Sequence, residues 1–507
     1  MTLDFCWLLT YFLVLLGMAG YGLHRLLALC LYYRHRRDVP KPKGRFAELP
    51  FVTVQLPLFN EKYVVRGLLE HVAALDYPKD RLEIQILDDS TDDTAELCRR
   101  YAEDLRRRGY DAVCLHRADR SGFKAGALEE ATKTAKGEFL LILDADFRPN
   151  PDLLQQTIHF FTDDRIALVQ TRWGHLNRDK NLLTHLQSVF LDGHFAIEQT
   201  MRNRSGRYFT FNGTAGVWRK RAIVDGGGWE HDTLTEDMDL SYRVQMKGWR
   251  FVFLKDYVTP AELPENMDGF KAQQHRWTKG SIQVCRKMLF DIWRCPAVPF
   301  KAKLEATTHL TSNYAYLLLI LLCFLVAPLA TGDIRMADNW QMLLVQVTLF
   351  FLATVCVSVF YAASQYLVNR ERWKRELLYI PLLLALGVGM AVNNAKAVLE
   401  AAFGHQSSFV RTPKFGMGDE TPSLQKTPVR RASEYQALRS VIVPVLELTF
   451  GLFFLCIIGG QILRGDFLSA VLMSPFLGFF YTSACSIGRM VSNKLQKRRS
   501  RHGATAA

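Results

Sequence analysis

Five apolar runs, each long enough to cross the hydrocarbon core of a bilayer as a helix, break up this chain of 507 residues. A single water-soluble core has no use for so many. The first runs from about Phe5 to Tyr33, interrupted by His24 and Arg25, and the others cover Tyr314–Ala330, Met342–Ala363, Val441–Leu463 and Phe467–Ile487. Between the first and the second, from Arg34 to Ala306, charged and apolar residues mix as in a globular α/β protein. The chain reads as one large soluble domain held by membrane helices.

Basic residues assign the sides, because cytosolic flanks carry an excess of Lys and Arg. Arg34-His35-Arg36-Arg37, followed by Lys41, Lys43 and Arg45, puts residue 34 onward in the cytosol and the N-terminus outside. The acidic start at Asp4 favours a retained anchor over a cleaved signal peptide. A sixth apolar stretch, Leu377–Ala402, contains Asn393, Asn394, Lys396 and Glu400. Basic residues flank it on both sides (Arg370, Arg372, Lys374 and Arg375; Arg411, Lys414, Lys426, Arg430 and Arg431). Both flanks demand the same side, so this stretch is expected to lie in the interface or to re-enter. Five crossings then leave a basic tail inside, with Arg489, Lys494, Lys497, Arg498, Arg499 and Arg501. The expected division is an anchor at 1–33, a cytosolic domain at 34–306 ending in interfacial helices, a transmembrane hairpin at 307–370, an interfacial helix and loop at 371–438, a second hairpin at 439–488 and the tail at 489–507.

The net charge of +13 suits flanks that face anionic membrane lipids. No basic stripe is interleaved with exposed aromatics, so nucleic acid is not an expected partner. The ten cysteines are scattered without a Cys-x-x-Cys pair, which indicates neither a zinc site nor a disulfide framework. Nothing in the pattern specifies an oligomeric state.

Within the soluble domain, Phe51–Pro57 and Leu82–Leu87 read as strands, each followed by a helical pattern, and Phe139–Leu143 reads as a third. Such alternation predicts a mostly parallel, Rossmann-like α/β sheet with helices on both faces. Ligands of such sheets sit beyond the carboxyl ends of the strands. Two strands end there in carboxylates, Asp88-Asp89 and Asp144-Ala145-Asp146. Carboxylates gathered on one rim repel, and a hard divalent cation such as Mg²⁺ or Mn²⁺ bridging them to a diphosphate relieves the repulsion. The plainer reading, a helix cap, is preferred for Asp92 and Asp93. For Asp144 and Asp146 the plainer reading is a solvated turn, disfavoured because an apolar strand aims both at the rim.

Two later motifs join them. Thr235-Glu236-Asp237 follows a Gly-rich turn and opens a predicted helix, where carboxylates also suit the dipole. Gln273-Gln274-His275-Arg276-Trp277 sets an indole beside a guanidinium just before the membrane. The indole suits stacking on a pyranose and the guanidinium suits a diphosphate, although an interfacial Trp/Arg belt would look alike.

With these residues in view, the sequence resembles processive family 2 glycosyltransferases of GT-A fold. It is most similar to the cellulose synthase-like A/C group of glucan and mannan synthases and their bacterial relatives. The resemblance spans about Phe51 to Lys414 and rests on four ordered motifs, D,D, DxD, TED and QxxRW. It implies an inverting enzyme that moves sugar from UDP-glucose or GDP-mannose to a growing β-1,4-glucan or mannan chain and helps extrude it, in a bacterial inner membrane. Donor-binding roles are implied for Pro57, Phe59, Glu61, Asp88, Asp89, Lys124, Asp144, Asp146, Gln273 and Arg276, with Asp144 and Asp146 holding the metal. Asp237, beside Glu236, is implied as the catalytic base. Trp277, Phe211, Asn212 and Gly213 are implied to line the acceptor site, where cellulose synthases carry a Cys-containing sequence instead. Phe409, Arg411, Thr412 and Lys414 resemble a gating loop, with Arg411 where cellulose synthases have Val. A second expectation is single addition of sugar to a ceramide or diacylglycerol, and a third, non-enzymatic one is a channel that senses nucleotide-sugar.

Overall fold

The computed structural model describes residues 3–331, 340–405, 414, 416 and 441–504. Its soluble part is built on a seven-stranded sheet of order β3-β2-β1-β4-β6-β5-β7. The strands are β1 (Val52–Leu58), β2 (Leu82–Asp88), β3 (Asp111–His116), β4 (Phe139–Ile142), β5 (Ile166–His175), β6 (Gly216–Arg219) and β7 (Arg250–Ala261). The three strands expected from the sequence are β1, β2 and β4. The pairings β1–β2, β2–β3, β1–β4 and β5–β7 are parallel, and β6 is antiparallel to both its neighbours. The sheet is therefore mixed around one reversed strand.

β2 is buried along its whole length, as the centre of a doubly covered sheet requires. Its polar residues are paired across to β1: Thr53 Oγ1 donates to Glu83 Oε2 at 2.6 Å and Gln55 Nε2 to Gln85 Oε1 at 3.0 Å. Pro57 is tolerated in this central strand because β4 pairs only as far as Gln55, so the missing N–H faces no partner on that side. One core packs Val54, Leu56, Ile84 and Leu141 under the helices of one face, and a second packs Leu128, Leu168, Trp218 and Leu240 under those of the other.

Among the described residues, five helices are long and apolar enough to cross a membrane: Asp4–His35, Phe300–Pro328, Trp340–Val368, Ile442–Leu463 and Phe467–Ser492. They follow the five apolar runs. The second begins earlier than the expected Tyr314, because the polar helix Phe300–Thr311 passes through one 3₁₀ turn straight into Ala315–Thr331. Trp373–Gly389 and Ala391–Ala402 form a pair bent by 43°, the stretch expected to lie in the interface or to re-enter. Asn393 and Asn394 are buried there, and Asn393 Nδ2 donates to the Lys271 carbonyl at 3.1 Å. Lys271 belongs to the 28-residue helix Met267–Arg294, which links the sheet to the bundle.

Candidate active site

β4 stops at Ile142 because the chain turns through Asp144-Ala145-Asp146, closed by the Phe147 N–H on the Asp144 carbonyl at 3.1 Å. Thr214 Oγ1 accepts from the Asp144 N–H at 2.8 Å, tying this turn to the segment before β6. Both carboxylates meet a lysine. Lys124 Nζ lies 2.6 Å from Asp144 Oδ1 and donates to the Gly213 carbonyl at 2.8 Å, and Lys414 pairs with Asp146.

One cavity at the carboxyl ends of the strands gathers most of the site residues read from sequence. Pro57, Phe59, Glu61, Asp89, Lys124, Asp144, Asp146, Asn212, Gly213, Glu236, Asp237, Gln273, Arg276, Trp277 and Lys414 all line it. Two do not. The Asp88 carboxylate is turned away, accepting from the Ser90 N–H at 3.0 Å and bonded to His116 Nδ1 at 2.6 Å. Strand alternation explains this, since Leu87 and Asp89 share the cavity face and Asp88 takes the other. Phe211 is buried in the second core against Trp218 and Trp229. Phe409, Arg411 and Thr412 lie outside the described residues. Of the two expected caps, Asp92 accepts from the Thr94 N–H at 2.9 Å, whereas Asp93, at the N-cap position of that helix, makes no side-chain cap bond.

Glu236 and Asp237 open the helix Glu236–Met246. Asp237 Oδ2 sits 3.0 Å from where a Cβ on Gly213 would be, and Lys124 Nζ 3.5 Å from it. Gly213 adopts φ +81°, which glycine tolerates best, and this lets the backbone approach both side chains. Burial, then the adjacent Glu236 charge, pushes the Asp237 carboxyl up to about 7 against the pull of Lys124. Burial also raises Glu236. Burial acts the same way on Asp144, but Lys124, Lys414 and Arg276 together hold it below its ordinary value. The cavity thus separates a carboxylate kept ionised from one poised near neutrality, the pattern expected of metal-holding and proton-accepting roles. Hard oxygen donors at Asp144 and Asp146, each paired with a lysine, fit a Mg²⁺ or Mn²⁺ ion. A second acidic group, Glu230, Asp232 and Asp239, is bridged by Lys287, whose Nζ is 2.9 Å from Asp232 and 3.0 Å from Asp239, with Arg243 2.7 Å from Asp239.

Sequence reading missed several cavity residues. The Arg120 guanidinium lies over the Phe59 ring, 3.3 Å from its centroid, and Arg117 holds Asp89 bidentately at 2.8 and 2.6 Å. Trp173, Gly174 and His175 also line the cavity. They end β5, where the carboxyl-end rule applied to β2 and β4 would have found them.

A mixed GT-A-type sheet, acidic at its strand ends and set against a membrane-helix bundle, is the architecture of a membrane glycosyltransferase. The chain belongs to the glycosyl transferase family group 2, whose profile matches residues 139–392. It is 42% identical over 269 residues to glucomannan 4-beta-mannosyltransferase 1 of Oryza sativa subsp. japonica, covering 52% of each chain. It is 42% identical over 266 residues to glucomannan 4-beta-mannosyltransferase 2 of Arabidopsis thaliana, covering 51% of this chain and 49% of the other. The chain spans about half the length of the curated relatives it matches. The fold is shared with the solved structure of mannosyltransferase PcManGT from Pyrobaculum calidifontis in complex with GDP-Man and Mn²⁺, at a TM-score of 0.54 and 20% identity over 78% of this chain and 100% of that one.

Proposed function

We propose that this protein is an inverting hexosyltransferase that adds mannose from GDP-mannose to a growing β-1,4-linked polysaccharide. The carrying observation is the convergence of Asp144, Asp146, Asp237, Lys124, Arg276 and Trp277 on one cavity beside the membrane helices. The rice and Arabidopsis relatives are named for mannosyl transfer, which ranks GDP-mannose ahead of UDP-glucose as the donor. The polymer is preferred to a single-addition glycolipid on the same ground.

In this reading the nucleotide lies toward Pro57, Phe59, Glu61 and Asp89, and its diphosphate toward Lys124, Gln273 and Arg276. Asp144 and Asp146 would hold a Mg²⁺ or Mn²⁺ ion, which would supply Lewis-acid neutralisation of the diphosphate charge. Asp237 accepts the proton of the acceptor hydroxyl as that oxygen attacks the anomeric carbon. The glycosyl–phosphate bond breaks on the opposite side, so an α-linked donor gives a β-linkage. Trp277 stacks on the acceptor sugar, and Lys414, paired with Asp146, stands on the donor side.

The basic flanks support an orientation with the cavity and the C-terminus in the cytosol and the N-terminus outside. A purified sample incubated with GDP-mannose and UDP-glucose separately, with Mg²⁺ or Mn²⁺, tests the proposal through linkage analysis of the product. A β-1,4-mannan from GDP-mannose supports it. A product that stops at one sugar overturns the polymerase reading.

A further inference from the structure

Away from the donor cavity, buried charges collect where the first membrane helix, Leu3–His35, meets the segment His194–Gln199. That segment is wound as a π-helix between Leu182–Gly193 and Thr200–Arg204. Such wide turns give up backbone hydrogen-bond quality and concentrate at functional sites. Here the turn grips one side chain of the cavity from both ends. Gln199 Nε2 donates to Asn212 Oδ1 at 2.7 Å and to the Thr210 carbonyl at 2.9 Å. Asn212 Nδ2 lies 3.2 Å from His194 Nε2, and His194 Nδ1 lies 3.0 Å from Glu198 Oε2.

The polarity of this chain is self-consistent. A carboxylate can only accept, so His194 carries its proton on Nδ1 and its Nε2 lone pair receives the Asn212 N–H. Burial, with the nearby charges of Arg202 and Arg25, pushes the His194 imidazole down to about 3, which keeps it neutral and keeps that lone pair. Behind it, Glu198 is paired with Arg25 of the first membrane helix. Arg202 Nε donates to Glu305 Oε1 at 2.8 Å, and His24 Nε2 lies 3.1 Å from Glu305 Oε2. The grip on Asn212 is thus braced against two helices of the membrane bundle.

A primary amide offers two N–H groups and two carbonyl lone pairs, and His194 and Gln199 engage one of each. We infer that the π turn positions the acceptor: His194 and Gln199 orient the Asn212 amide so that its second N–H and second lone pair take one hydroxyl of the incoming sugar chain. With the amide plane fixed by both anchors, the remaining N–H and lone pair stand at set positions on the cavity wall, so the hydroxyl meets a donor and an acceptor that need no reorientation on binding. The inference rests on the glycosyltransfer reading above. It assigns His194 as a positioning residue, acting through Asn212.

The test uses the full chain in lipid with GDP-mannose, Mn²⁺ and an added β-1,4-manno-oligosaccharide. GDP release without acceptor reports the donor half of the site, and acceptor KM reports the Asn212 half. His194→Phe is expected to raise acceptor KM about tenfold, the loss of one oriented hydrogen bond, with acceptor-free GDP release and donor KM within about twofold of the parent. His194→Gln, whose side-chain oxygen can still accept from Asn212, is expected to restore acceptor KM to within about threefold of the parent. Gln199→Leu, which removes the other anchor, is expected to reproduce the His194→Phe split and carries the test if His194→Phe does not fold. An unchanged acceptor KM in both disruptive variants, an equal rise in donor KM, or a His194→Gln variant as impaired as His194→Phe overturns the inference. A parent protein that releases no nucleoside diphosphate from either GDP-mannose or UDP-glucose overturns the glycosyltransfer reading instead, and this inference with it.

Discussion

At the scale of single residues, the proton balance of Asp237 makes the sharpest prediction. Only its ionised form can take a proton, and burial beside Glu236 lifts it to about 7. The rate of sugar transfer is expected to rise with pH through about that value, read from kcat/KM against pH. Asp237→Asn is expected to lower kcat by roughly 10² to 10⁴, the usual range for losing a general base. The same shift has an opposite sign for folding. A raised carboxyl favours the folded state below its ordinary pKa and loses that contribution as pH climbs through the folded value. Asp237→Asn is therefore expected to unfold at a higher temperature than the parent at pH 8, with the difference vanishing at pH 4. Gly213 gives a second case. An alanine there would meet Asp237 Oδ2 at 3.0 Å with φ at +81°, costing about 1 kcal/mol of backbone strain. Thermal unfolding should register that strain, and transfer rate should fall further than stability does.

At the scale of elements, the sequence was most readable where a strand ends in charge. β2 announces itself as an alternating run and β4 as an apolar one, each closed by carboxylates, and the end of each lies at the cavity. Which carboxylate faces inward was also readable in principle, because Leu87 and Asp89 alternate with Asp88. The brace behind Asn212 was not. Arg25, His194, Glu198 and Glu305 are separated by up to 280 residues in the chain, and no local pattern announces that their charges will meet. Phe211 illustrates the same limit, because only the packing of Trp218 and Trp229 decides that it turns inward. A related long-range pair sits in the bundle. Lys271 Nζ lies 2.5 Å from Glu447 Oε2 and 2.9 Å from Ser486 Oγ, with both charged side chains buried. Lys271→Met alone strands a buried carboxylate and is expected to cost about 3–5 kcal/mol. The double variant Lys271→Met with Glu447→Met is expected to recover most of that loss in the same unfolding measurement.

At the scale of the whole molecule, the five membrane helices and the basic flanks make a prediction about sides. A protease site inserted after Lys41 and one inserted at Gly465 are expected to be cut from opposite faces of sealed vesicles. The helix Met267–Arg294 has a wider consequence. Gln273, Arg276 and Trp277 on it border the cavity. On the same helix Lys271 is tied to Glu447, and Lys279 lies 3.1 Å from Glu400 of the bent helix pair. No hinge separates the two sets, so a tilt of the bundle becomes a displacement of the guanidinium and the indole. Transmembrane helices tilt to match the thickness of their bilayer. The proposed transfer activity should therefore respond to lipid chain length, peaking in one acyl thickness and falling in both shorter and longer ones while the fold stays intact.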